Sequence, residues 1–217
     1  MNPSPLPSPP WIEHPADFAV VNQNIAALDV QFQASKGHRE SFSLNLVREW
    51  HREMHTGCCH VPVAAYVGNF RGTTHPYLEA YENQFGPFIS FQAADVPTAV
   101  LKVEAEIKNL LDRFDLLMGN EAAATPSRLN NVIDAVVGPY VDWIRIHPFA
   151  DGNGRTARLM VNWLFARYWQ PLVFPGRPPV DRDSLVAATA PALFVPSNYR
   201  PIRSHLRKRL ADARRSP

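Results

Sequence analysis

The 217-residue chain has only two cysteines, and they are neighbours, Cys58 and Cys59. Adjacent thiols make at best a strained disulfide, so the sequence holds no disulfide framework and a reducing cytoplasm is the expected setting. No apolar run approaches the ~20 residues needed to cross a bilayer, which excludes a spanning helix. The N-terminus lacks a basic segment followed by an apolar one, which argues against a Sec-type signal peptide. Net charge is only +2, too little for the broad basic field of a nucleic-acid binder. The local excess lies in "RPIRSHLRKRLADARR", read as a solvated last helix ending in a basic tail at 211–217. There is no GxxxxGK[ST] phosphate loop and no internal repeat.

What remains is an ordinary globular composition, 46% hydrophobic and 19% charged, long enough for one domain with a full core. Residues 1–10, "MNPSPLPSPP", hold five prolines and cannot enter a helix or a central strand; residues 1–14 are read as a flexible arm. Helical spacing runs through 15–40 as an N-terminal extension, and through Ser41–His55, capped by Ser41 or Ser43. Residues 57–97 are rich in Gly, Pro, Thr and aromatics, with short β-type runs at Val61–Val67 and Phe88–Phe91. They read as an extended excursion with a small hairpin. A stripe of Val100, Val103, Ile107, Leu110, Leu111 and Phe114 marks a helix ended by Gly119. A polar connection at 120–128 leads to another helix at Leu129–Ile146, with a kink expected at Gly138-Pro139. Arg155–Trp169 is apolar nearly all round and is expected to be central and buried. Pro171, Pro175 and Arg177–Pro179 close it, and Asp181–Ala192 and Tyr199–Arg215 add two more helices. The predicted class is all-α with a short hairpin.

One dozen residues stand apart: "HPFADGNGRTAR", 147–158. At about 100° per residue, Arg155, Arg158 and Asn162 share an arc of about 60° on the apolar helix. Buried charge needs partners, and the stripe leads away from a helix N-terminus, where unpaired N–H groups favour anions and glycines let a ligand approach. Together they form a cradle for a polyphosphate, which arginine forks match well. A carboxylate beside that cradle, Asp151, makes sense if a divalent cation sits between, as Mg²⁺ does with phosphate oxygens. His147 titrates near neutrality and can take a proton from an attacking hydroxyl. Asn153 adds a neutral donor where charge develops on a phosphoryl oxygen. The loop reads as a phosphoryl- or nucleotidyl-transfer site. His51 and His55 lie four apart, but "HREMH" is not HExxH and the Cys58-Cys59-His60 group falls past the helix; local packing is expected there rather than zinc.

The dozen residues match the HxFx[D/E]GNGRxxR signature at every specified position, and on them the chain resembles Fic-domain proteins. "GNFRG" at 68–72 resembles that family's segment before its flap hairpin, and "RLMVNWLFARYWQP" resembles its continuation. The resemblance covers about 41–210. It implies a helical core around a central buried helix with a β-hairpin flap, and transfer of AMP from ATP to a Ser, Thr or Tyr hydroxyl of a target protein. Carried over residue by residue, it makes His147 the base, Phe149 the anchor of the loop and Asp151 the Mg²⁺ ligand. Gly152, Asn153 and Gly154 become the anion hole, Arg155 and Arg158 the holders of the β- and γ-phosphates, and Asn162 a residue lining the nucleotide pocket. The flap, within Phe70–Phe91 and with Gly68, Asn69, Phe70 and Arg71 as docking residues, would clamp the target by strand addition. Alternatives within the fold are another nucleotide, removal of AMP, or a non-enzymatic regulatory module. The resemblance also implies either a bacterial cytoplasmic toxin or an effector delivered into a host cell. Many such proteins carry a glutamate, in an [S/T]xxxE helix, that pairs with the second motif arginine, here Arg158. No Ser or Thr in this chain has Glu four residues on. The expectation is therefore no strict internal brake, the glutamate coming from a separate small antitoxin or from nowhere. No nucleic-acid or membrane partner is expected.

Overall fold

The computed structural model describes residues 9–85, 88–118, 126–174, 182–195 and 197–215. Within them the chain is helical, with one two-stranded hairpin. A short 3-10 turn at Pro15–Asp17 leads into α1 (Phe18–Ala34), whose Val21, Ile25, Leu28 and Phe32 recur at helical spacing and are buried. Ser43 caps α2 (Leu44–Met54), its hydroxyl accepting from Leu46 N at 3.2 Å. That helix buries Val47, Trp50, His51 and Met54.

The predicted run at Val61–Val67 is not a strand. It holds a 3-10 turn at Ala64–Tyr66, because Tyr66 is needed in a small second core with Trp11, Leu78, Tyr81 and Ala150. The hairpin lies later, as β1 (Gln84–Phe85) and β2 (Phe88–Ile89), antiparallel with Gln84 opposite Ile89 and Phe85 opposite Phe88. Next, α3 (Val96–Met118) buries Val100, Val103, Ile107 and Leu111. Then α4 (Pro126–Ile146) starts earlier than the sequence suggested and runs unbroken through Pro139. The expected helix stop at Gly119, residues 120–125 of the polar connection, Pro175, Arg177–Pro179 and Asp181 lie outside the described residues.

At the centre is α5 (Asn153–Arg167), with every residue buried except Gly154 and Arg158. It is packed by α1, α2 and α4, and Trp143 Nε1 of α4 donates to Thr156 Oγ1 across the seam at 3.0 Å. The last helices, α6 (Arg182–Phe194) and α7 (Arg200–Arg215), pair with each other and against α4. Residues 211–215 are thus the end of α7 rather than a tail, with Arg214 Nη2 donating to Gln170 Oε1 at 2.7 Å.

The N-terminal arm also differs from its expected flexibility. Residues 9–14 are docked: Tyr66 Oη donates to Pro9 O (2.8 Å), Trp11 N donates to Tyr81 Oη (3.1 Å), and Trp11 is buried. A proline-rich composition forbids helix but not docking, and one large aromatic gives the segment enough apolar area to hold.

Candidate active site

The dozen-residue loop links the C-terminus of α4 to the N-terminus of α5. Six consecutive carbonyls, from Ile146 at the end of α4 to Asp151, are held from outside by His51, Arg71 and Asn83. Arg71 serves the first three: Nη2 donates to Ile146 O (2.6 Å), Nε to His147 O (2.6 Å), and its backbone N–H to Pro148 O (2.8 Å). Asn83 Nδ2 reaches Phe149 O (3.3 Å) and Ala150 O (3.0 Å). His51 Nε2 meets Asp151 O at 3.0 Å. A carbonyl only accepts, so His51 carries its proton on Nε2, while its Nδ1 accepts from Gly68 N at 2.9 Å. Its ring stacks on Phe149 with centroids 3.9 Å apart, and burial holds its pKa down to about 3, so it is a neutral brace.

His147 sits at φ 54°, a left-handed conformation a non-glycine residue adopts only when its surroundings impose it. Its Nδ1 lies 3.1 Å from Ile144 O and must donate there, which puts the lone pair of the neutral ring on Nε2. Burial is the main force lowering its pKa to about 4, with the Arg71 charge adding to it and the bond to Ile144 opposing. At neutral pH the imidazole is therefore unprotonated, the state a general base requires. Phe149 is fully buried against Phe70 and Trp143 and anchors the loop.

Gly152 caps α5 at φ 81°, and a Cβ there would come within 3.1 Å of both His51 Nε2 and Met54 Cε. Only glycine fits. Its own N–H donates to Asp151 Oδ1 at 2.6 Å. The N–H groups of Asn153 and Gly154 belong to the first turn, where no carbonyl of the helix can serve them. The Asn153 side chain differs from expectation. Both its ends close the loop, Oδ1 accepting from Phe149 N and Nδ2 donating to Phe149 O, each at 2.8 Å, so it shapes the turn rather than facing a ligand.

The polar stripe of α5 does have partners, and two of its members find them in the N-terminal 30 residues, in the arm and in α1. Arg155 pairs with Glu13 through one nitrogen and with Asp151 Oδ2 at 3.0 Å through another. Asn162 donates to Asp29 Oδ1 and Phe174 O, each at 3.1 Å, and accepts from Val173 N and Phe174 N. Being 1% exposed, Asn162 fastens the chain after α5 and does not line an open pocket. Arg158 is the stripe residue that stays accessible. A Cβ on Gly154 would sit 3.6 Å from Arg158 Nη1, so the guanidinium folds back over the first turn. Its charge also reaches the Tyr140 phenol on α4. Thus Arg158, Gly154 and Asp151, whose carboxylate is 29% exposed, mark the open mouth of the loop.

Gly68, Asn69, Phe70 and Arg71 are not a docking flap. Gly68 O and Asn69 Oδ1 accept from Arg48, Phe70 is in the core and Arg71 is fully buried. They form the floor under the loop, and the hairpin follows at 84–89. No group of three or more His, Cys, Asp or Glu able to hold a metal occurs among the described residues, and His60 instead contacts Asp17 at 3.1 Å. One accessible carboxylate at an anion cradle is nonetheless the donor set Mg²⁺ uses when phosphate oxygens complete its shell, so Asp151 fits such an ion.

The family model described as Fic/DOC family matches residues 41–165. The chain belongs to the Fic/DOC family. Among curated Fic relatives, the protein adenylyltransferase Fic of Drosophila melanogaster and that of Drosophila virilis are each 39% identical over 67 residues, 30% of this chain and 13% of theirs. The chain thus matches only a small part of those proteins. Fic structures cover nearly all of it. The BepC effector of Bartonella tribocorum, solved with AMPPNP, shares 14% identity over 95% of this chain and 92% of its own, with a TM-score of 0.62. Fic-1 (134–508) of C. elegans shares 18% over 95% and 52%, with a TM-score of 0.58. At these identities the likeness shows the Fic fold alone.

The motif residues were legible from sequence; Glu13, His51 and Asn83 were not. A buried histidine on the apolar face of α2 was the available signal for His51. Glu13, an acid three residues past the proline-rich run, gave none.

Proposed function

We propose that the chain is a protein adenylyltransferase, moving AMP from ATP to a Ser, Thr or Tyr hydroxyl of a target protein. The observation that carries the reading is the state of His147: neutral, tautomer fixed by Ile144 O, with its lone pair on Nε2 at the end of a loop that opens on a helix N-terminus. In the reaction Nε2 takes the hydroxyl proton, the oxygen attacks the α-phosphorus, and diphosphate leaves with the bonding pair. Arg158 and the first-turn N–H groups of Asn153 and Gly154 receive the phosphates. Asp151 would hold Mg²⁺, which offsets phosphate charge when bound. The hairpin β1–β2 would take the target as an added strand. Family membership, the adenylyltransferase names of the Drosophila relatives and the AMPPNP in BepC support this reading.

The test is incubation of the purified chain with Mg²⁺, a lysate, and ATP labelled at either the α- or the γ-phosphate. Label entering protein from the α-position only is expected, and His147→Ala should lower it by about 10²–10⁴ while ATP binding persists. Label from the γ-position would replace AMP transfer with phosphoryl transfer. Wild-type turnover in His147→Ala would remove the base from the mechanism.

A further inference from the structure

Arg71 is a full positive charge placed where none is needed for packing. Its side chain is 0% exposed. The nearest carboxylate oxygen, Glu82 Oε2, is 3.6 Å away on a side chain 61% exposed, so the compensation is weak. Burial lowers its pKa to about 10, which still leaves it charged at neutral pH. A buried guanidinium is costly unless its donors are used, and here they are used on two different structures. On one side, Nε and Nη2 hold the carbonyls of His147 and Ile146, the negative end of α4. On the other, Nη2 donates to Ser90 Oγ at 2.9 Å and Nη1 to Tyr81 O at 3.4 Å. Ser90 directly follows β2. Its hydroxyl passes the bond on to Asn83 O at 2.5 Å, and Asn83 directly precedes β1. The two feet of the hairpin are therefore closed on each other and tied to the His147 backbone through one guanidinium.

We propose that Arg71 is a positioning residue that registers the β1–β2 hairpin against His147, so that a polypeptide held on the hairpin presents its hydroxyl at a fixed distance from Nε2. This rests on the adenylyltransferase reading for its consequence, but not for the coupling itself. The geometry has the three features such a register requires. The linking group is planar and rigid, it bonds both sides within normal distances, and it is sealed from water that could replace its bonds. The strained backbone of His147 adds a reason: φ 54° persists only if something holds the carbonyls around it, and Arg71 holds three in succession.

Two substitutions in the full chain separate this role from plain stability. Arg71→Lys keeps the charge and loses the fork; Ser90→Ala removes the hydroxyl that joins the guanidinium to both feet of the hairpin and leaves the α4 carbonyls and Tyr81 O bonded. With each, the His147 Hε1 resonance is followed by NMR without nucleotide, and transfer is followed with ATP and target varied separately. The expected result for Ser90→Ala is a shifted His147 resonance. For Arg71→Lys it is a kcat for protein modification lower by about 10- to 100-fold with the KM for ATP unchanged. If Arg71→Lys does not fold, Ser90→Ala decides alone. An unmoved His147 resonance in folded Ser90→Ala overturns the coupling. A folded Arg71→Lys with wild-type kcat overturns it as well. Should the wild type transfer no AMP, the functional reading fails, while the resonance still decides whether hairpin and histidine are linked.

Discussion

Replacing Glu13 by glutamine asks whether the N-terminal segment is part of the site. The Glu13 and Arg155 side chains are 7% and 6% exposed, so added salt screens the pair little. Removing one member of a buried ion pair costs about 3–5 kcal/mol when the other is stranded. Arg155 is not stranded, because Asp151 Oδ2 remains 3.0 Å away, and the glutamine amide keeps the shape. The loss should then be that of one charge-assisted bond, about 2 kcal/mol. In a chain of this size that lowers Tm by about 4–8 °C. Thermal melts of wild type, Glu13→Gln, Arg155→Gln and the double variant, at low and high salt, give the coupling directly. A Tm for Glu13→Gln equal to wild type, or a deficit that disappears in high salt, would mean the pair is not formed in solution. The same substitution releases one side of Arg155 for an anion, so ATP should bind it more tightly. Weaker binding would instead give Glu13 the task of holding Arg155 in place. The expectation of no strict internal brake concerned an [S/T]xxxE glutamate on Arg158; the intramolecular glutamate that meets a motif arginine here is Glu13, on Arg155 and outside any such helix.

Acid should unfold the protein through its neutral histidines. His51 and His147 are held to about 3 and about 4, so between those values and the ordinary 6.5 the unfolded chain binds protons the folded chain does not. Stability is intact above about pH 6.5 and falls on acidification, by about 2.5 kcal/mol per pH unit near pH 5; a slope of one proton or fewer, from denaturant melts, would refute the burial of both. Asn162→Ala should cost about 2–3 kcal/mol by stranding the Val173 and Phe174 N–H groups while ATP affinity in calorimetry stays unchanged; lost affinity at unchanged stability would return Asn162 to the pocket. Arg158→Ala should do the reverse, weakening ATP binding with unfolding free energy within about 1 kcal/mol of wild type, and unchanged affinity would remove it from the site.

α3 was legible because it carries one periodic apolar stripe, Val100, Val103, Ile107 and Leu111, and α5 because it is apolar nearly all round. The motif was legible because its residue types conflict with a buried helix unless they do something. What they do was less legible. Arg155, Arg158 and Asn162 share an arc, and periodicity says only that they face the same way, not what faces them. Asp29 and Glu13, 133 and 142 residues away, answer for two of them. The same limit hid the floor of the loop. By resemblance, "GNFRG" was expected to supply residues that dock the target, yet Arg71 is fully buried, because α4 ends above it with carbonyls that a strip of sequence does not show. His51 was weighed for a metal and turned out to be a brace, since its two nitrogens bond Asp151 O and Gly68 N.

The contact between residues 13 and 155 spans two-thirds of the chain, and Trp11 shares its small core with Ala150 of the loop. Such contacts carry the largest loop-closure entropy and close late in folding. They also join the best-packed helix, α5, to a segment secured by a few bonds. Fluctuations that release residues 9–14 need not disturb α5, so they belong to the low-energy openings a native protein samples continually. Amide exchange at residues 150–155 should therefore follow the fraying of this segment rather than global unfolding. How often Arg155 meets water is then set by one tryptophan more than a hundred residues away.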